Sequence, residues 1–149
     1  MKNLLPLVLL ALAAGFCLPI QAGINAQLNL WTRSPVLAAA ISFAVGTLAL
    51  FGYALAARIP YPALSHFSTA PWWVWLGGLL GAYFVFSTVI LAPRIGATSM
   101  LALILAGQML ASLVLDHFGW LGYPVQPVSL QRLLGALLIG AGVYLVRFF

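Results

Sequence analysis

The chain has 149 residues, 64% of them hydrophobic and only 5% charged, with six basic side chains against a single acid. Its mean hydropathy is +1.14. A soluble domain carries about 25% charged residues, and no fold of this length hides so much apolar side chain from water, so the solvent is lipid. The net charge of +5 does not point to nucleic acid, because the basic residues stand singly and form no patch. One cysteine, Cys17, excludes an internal disulfide framework and a cysteine-based zinc site.

Five segments are long and apolar enough to cross a bilayer, and the first, Leu4–Leu30, opens the chain. Lys2, the leucine run and the small residues near Ala22 resemble a secretory signal peptide. Apolar character resumes past that point through Ile24, Leu28 and Leu30, and bulky Phe16 precedes Cys17, so the segment reads as a retained helix and not as a leader or lipoprotein signal. Pro19 cannot donate to the carbonyl of Gly15, which predicts a bend there, with Gly15 and Gly23 allowing close approach. Gln21, Asn25 and Asn29 recur every four residues and form one slowly drifting polar stripe, while Gln27 points to nearly the opposite side.

Span two covers Val36–Ala57, span three Trp72–Ala92, span four Ile95–Leu115 and span five Leu130–Phe149. The stretches "WTRSP" and "PR" read as tight connections, whereas "RIPYPALSHFSTAP" and "DHFGWLGYPVQPVS" are longer and rich in turn residues. Trp31, Trp72, Trp73, Trp75, Trp120 and Tyr123 cluster at the predicted boundaries, where an apolar ring with a polar edge suits the headgroup layer. Gly77, Gly78 and Gly81 on span three, Gly107 with Ala111 on span four, and Gly135, Gly140 and Gly142 on span five mark helix surfaces suited to close packing.

With five spans, Lys2, Arg58 and Arg132 share one side of the membrane, and Arg33, Arg94 and Arg147 share the other. A tie in basic residues sets no orientation under the positive-inside rule, so the chain is expected to insert both ways and to pair as an antiparallel homodimer. A single orientation fixed by Lys2 and the hydrophobicity of span one is the competing reading. Two opposed five-helix chains make a ten-helix inverted repeat, an arrangement that places a binding site near the midplane of secondary transporters.

Polar side chains at membrane depth are the candidates for that site. Gln21, Ser87, Thr88, Thr98 and Ser99 fall in the half of the bilayer away from the N-terminus, with Gln108 just across the midplane. Gln21, Asn25, Tyr83, Ser87 and Gln108 are the expected substrate-binding residues, and Gly15, Pro19, Gly23 and Asp116 the expected hinge or gating residues. Serine and threonine commonly bond their own helix backbone, whereas a buried glutamine amide is costly to leave unpaired. Asp116–His117 is the one acid–base neighbour pair, it lies at a helix end, and no metal-ligand set accompanies it, so enzymatic chemistry, a metal and a cofactor are not expected.

The stretches "QAGINAQL", "SPVLAAAISFAVGTLAL", "WWVWLGGLLGAYFVFSTVILAPRIGATSMLALILAGQ", "DHFG" and "RLLGALLIGAGVYLV" resemble the YdcZ family of half-size, five-helix bacterial inner-membrane proteins in the drug/metabolite transporter superfamily. The resemblance implies an all-α integral membrane protein, half of a ten-helix bundle, with kinship to ten-helix transporters and to four-helix multidrug-resistance proteins. Those smaller relatives carry a proton-coupling glutamate in their first helix, where this chain has Gln21 and Asn25. The combined expectation is a secondary transporter of a small polar or amphiphilic metabolite or drug. Its partners would be the lipid bilayer, a second copy and the small-molecule substrate. The rival is a non-transporting membrane subunit or scaffold, or one half of a heterodimeric transporter.

Overall fold

The computed structural model describes residues 4–62, 67 and 69–148, so Lys2 and His66 lie outside the described residues. Helix α1 spans Leu4–Thr32 and α2 spans Pro35–Ala56. A 3₁₀ turn at Trp72–Trp75 leads into α3, Leu76–Ile95, followed by α4, Ala97–Phe118. A second 3₁₀ turn, Trp120–Gly122, precedes α5, Leu130–Phe148. No strand occurs among the described residues. Five helical segments are long and apolar enough to cross a membrane, with α3 counted together with the 3₁₀ turn before it. The all-α membrane architecture expected from hydropathy is therefore the one observed.

Local chemistry sets the ends of these helices. Arg33 takes a left-handed conformation (φ 52°), and its N–H donates to the Asn29 carbonyl at 2.8 Å, closing α1. Ser34 then caps α2: its Oγ accepts the Leu37 N–H at 3.3 Å, and Pro35 occupies the first turn, where its missing N–H costs nothing. Between α3 and α4 the break is at Gly96 and not at the Pro93–Arg94 pair that the sequence suggested, because α3 continues through both residues to Ile95. Gly96 has φ 79° and ψ 158°, a backbone region in which a side chain is strained. Pro93 sits in the last turn of α3, where one lost ladder bond is tolerated.

The chain divides into two compact units, Met1–Arg94 and Ile95–Phe149. In the first, α1 and α2 pack side by side, and the buried residues on these helices are small: Ala22 and Asn25 on α1, Ala38 and Ala39 on α2. Phe43 of α2 reaches α3, its Cζ lying 3.3 Å from where a Cβ on Gly81 would stand. Gly81 thus acts as the helix-contact glycine the sequence suggested, whereas a Cβ on Gly77 or Gly78 would meet nothing within 4 Å. In the second unit α4 and α5 pack together, and their glycines Gly107, Gly135, Gly140 and Gly142 likewise face open space within the chain.

Among the described residues only Ala22, Asn25, Ala38, Ala39, Val85, Thr88, Val89 and Met100 are buried. Leucine, phenylalanine and tryptophan side chains cover the outside of the helices. That inversion of the soluble pattern is stable only where lipid or another apolar surface replaces water.

Candidate functional site

The polar stripe of α1 is graded in exposure. Gln21 is exposed, Asn29 is half-buried, and Asn25 is 3% exposed. The Nδ2 of Asn25 and the Oδ1 of Asn29 are both buried and have no hydrogen-bond partner among the described residues. Helix spacing places these two amides one turn apart on the same side of α1, so an unused donor and an unused acceptor share a face. Leaving such groups dry and unpaired costs about 1–3 kcal/mol each.

One turn before Asn25, Gln21 lines a groove of about 200 Å³ between α1 and α2, together with Ser42, Phe43, Gly46, Thr47 and Leu50. None of these side chains carries a formal charge. A second groove, of about 370 Å³, lies between α2 and α3 and is lined by Val36, Ala39, Ala40, Phe43, Ala82, Tyr83 and Phe86. Phe43 belongs to both, so a groove carrying three hydrogen-bonding side chains and an almost wholly apolar one share a residue.

The predicted residues are distributed as follows. Gln21 and Tyr83 line these two adjoining grooves of the first unit. Asn25 is enclosed beside Gln21 on α1. Ser87 Oγ donates to the Tyr83 carbonyl of its own helix at 2.7 Å, and Thr88 Oγ1 does the same to Val85 at 2.8 Å. Pro19 is half-buried within a helix that continues through it, and Gly15 and Gly23 face open space on the same helix. Gln108 and Asp116 belong to the second unit, where Gln108 is exposed on α4.

Sequence reasoning passed over Ser42 and Thr47. The signal was present, since they and Tyr53 are the hydroxyl residues of an otherwise apolar span. Their hydroxyls make no hydrogen bond to another described residue, in contrast to those of Ser87, Thr88 and Ser112, each of which bonds back to its own helix.

The second unit holds a separate polar cluster at the end of α4. Arg132 Nη1 lies 3.2 Å from Asp116 Oδ2 and 3.1 Å from the Gln126 carbonyl oxygen, while Nη2 donates to Gln126 Oε1. The Gln126 N–H donates to the Asp116 carbonyl at 2.8 Å, and the Val128 N–H donates to His117 Nδ1 at 3.1 Å. With its carboxylate paired to Arg132 and its neighbour His117 accepting from Val128, Asp116 ties the end of α4 to the connection before α5.

Residues 6–145 match the family described as "Putative inner membrane exporter, YdcZ". The inner membrane protein YdcZ of Escherichia coli (strain K12) is 34% identical over 79 residues, which are 53% of this chain and 52% of that protein. The match therefore spans about half the length of that relative. No solved structure matches this chain.

Proposed function

This chain belongs to the YdcZ family of inner membrane proteins, and from that membership we propose that it is a secondary transporter moving a small polar or amphiphilic solute across the bacterial inner membrane. The observation that carries the reading is the groove at Gln21. Three hydrogen-bonding side chains, Gln21, Ser42 and Thr47, converge there from two helices long enough to span the bilayer. Polar groups at that depth are expensive unless a partner meets them. Asn25, with its buried unpaired amide, adjoins the groove on α1, and Tyr83 lines the neighbouring one. Ser87 completes the proposed set on this unit, and Gln108 is proposed as a binding residue of the second unit.

Alternating access in this reading comes from an antiparallel homodimer. Its support is the tie of three basic residues on each side of the proposed topology and the large apolar side chains that α1 and α5 leave exposed. Pro19, flanked by Gly15 and Gly23, would supply the bend that opens one side, and the Asp116–Arg132 pair would hold the connection at one end of the gate.

Reconstitution is the test. Purified chain in liposomes loaded with a mixture of small metabolites should release at least one of them in a time- and protein-dependent way, followed by mass spectrometry. Gln21→Ala/Gln108→Ala protein that folds should release it at least about tenfold more slowly, the loss expected from two missing hydrogen bonds. Liposomes that retain every solute would overturn the reading and favour a non-transporting subunit or one half of a heterodimer.

A further inference from the structure

Resting on the transport reading above, we infer that the groove between α1 and α2 takes the uncharged hydrogen-bonding head of a small amphiphile. Ser42 and Thr47 are its specificity-determining residues beside Gln21, and the Phe43 ring is the wall along which the apolar part lies.

The hydroxyls carry the assignment. A serine or threonine in a membrane helix ordinarily satisfies itself on the carbonyl three or four residues earlier, as Ser87, Thr88 and Ser112 do in this chain. Ser42 and Thr47 do not. Both line the same groove, and Thr47 stands near the middle of α2, where water is scarce. Each hydroxyl can donate and accept, and the Gln21 amide does both, so the groove matches a hydroxyl or a carboxamide. It offers no counter-charge, and an ammonium or carboxylate moved there would lose its hydration with no ion pair in return.

Phe43 explains why the ligand is an amphiphile. Phe43 lines the groove that holds Gln21, Ser42 and Thr47 and also the apolar groove that reaches Tyr83. Gly81, without a Cβ, leaves the space that the tip of the ring occupies. A head held by Gln21, Ser42 and Thr47 therefore places its tail at Phe43.

Four six-carbon probes in two pairs of matched tail test this, hexanamide against hexanoate and 1-hexanol against hexylammonium. Thermal unfolding of the purified full chain in detergent is followed with each probe, for the wild type, Ser42→Ala/Thr47→Val, the isosteric single variant Thr47→Val, and Leu48→Ala, which alters an exposed residue of α2 outside the groove. The amide and the alcohol should stabilise the wild type and Leu48→Ala at concentrations about tenfold lower than the two ions, by linkage of binding to unfolding. In Ser42→Ala/Thr47→Val that preference should disappear, and Thr47→Val should lose part of it, so the prediction remains measurable if the double variant does not fold. Equal stabilisation by all four heads would mean a groove that takes any tail, a lipid chain included, and would overturn the inference. So would a preference for either ion, or a neutral preference that survives both variants. Solute movement is not read in this experiment. A chain that prefers neutral heads yet moves nothing in liposomes would sink the transport reading and leave this one standing.

Discussion

Asn25 is enclosed within the first unit, and its Nδ2 has no acceptor among the described residues. Asn29, one turn on, has the complementary defect at Oδ1. An amide at this depth weakens the fold unless it has a partner, and leucine has nearly the same branched shape without the polar atoms. Asn25→Leu is therefore expected to raise stability by about 1 kcal/mol or more, measured as a later midpoint in thermal or denaturant unfolding of the purified chain. The same substitution should slow transport, because the stabilisation comes from deleting a group that the fold itself does not use. A variant that unfolds earlier than the wild type would show that the amide is a packing element, and the case for a functional α1 stripe would then rest on Gln21 alone.

At the scale of elements, the informative feature is the join between α4 and α5. Gly119 ends α4 in a left-handed conformation (φ 64°) and passes its N–H to the Leu115 carbonyl, a C-terminal cap that favours glycine. A Cβ there would also stand 2.6 Å from Val125 Cγ2 and 3.3 Å from the Tyr123 carbonyl oxygen. Gly119→Ala thus meets both backbone strain and a clash, and should cost about 1–3 kcal/mol. Asp116→Asn should cost less, about 1 kcal/mol or below, since the pair with Arg132 is partly exposed. Its clearer signature is local: amide exchange of Gln126 and Val128, whose N–H groups bond to Asp116 and His117, should quicken in both variants while the core of α4 stays protected. Uniform exchange along α4 and α5 would mean that the connection is not a separate fastening.

This join also shows what a sequence can and cannot disclose. The five helices were legible because hydropathy over some twenty residues leaves few other structures possible in lipid. The sequence placed "SP" in the connection before Val36, where Ser34 in fact caps α2 and Pro35 opens it, and the break after α3 was misplaced as well. Pro93 and Arg94 look like a turn, yet the conformation that reverses the chain needs the positive φ of Gly96. Asp116 and Arg132 stand 16 residues apart, and only the course of the connection brings them together. Gln21 and Tyr83 were visible as isolated polar groups at membrane depth. Ser42 and Thr47 were visible as hydroxyls of an apolar span, but a hydroxyl gives no hint in sequence of whether it bonds backward to its own helix or outward to a groove.

For the whole molecule, the balance of charge makes the sharpest forecast. In the proposed five-span topology, Arg58 and Arg132 fall with Lys2 on one side, against Arg33, Arg94 and Arg147 on the other. Arg132 is tied to Asp116 and is a poor choice for substitution, whereas Arg58 and Arg94 are exposed and make no ion pair among the described residues. Arg58→Gln leaves two basic residues facing three, so the side that carries the C-terminus should remain in the cytoplasm. Arg94→Gln reverses the inequality and should send the C-terminus outward. A C-terminal reporter active on either side of the membrane should read both locations for the wild type and one each for the two variants. If opposed chains are the working unit, each variant alone should fail to move solute, and co-expression should restore movement, since the pair supplies both orientations. Full transport by either variant alone would refute the antiparallel homodimer and leave a single-orientation assembly. Failure of the mixture, with both variants folded and oppositely inserted, would refute it as well, because the charges altered lie outside the Gln21 groove.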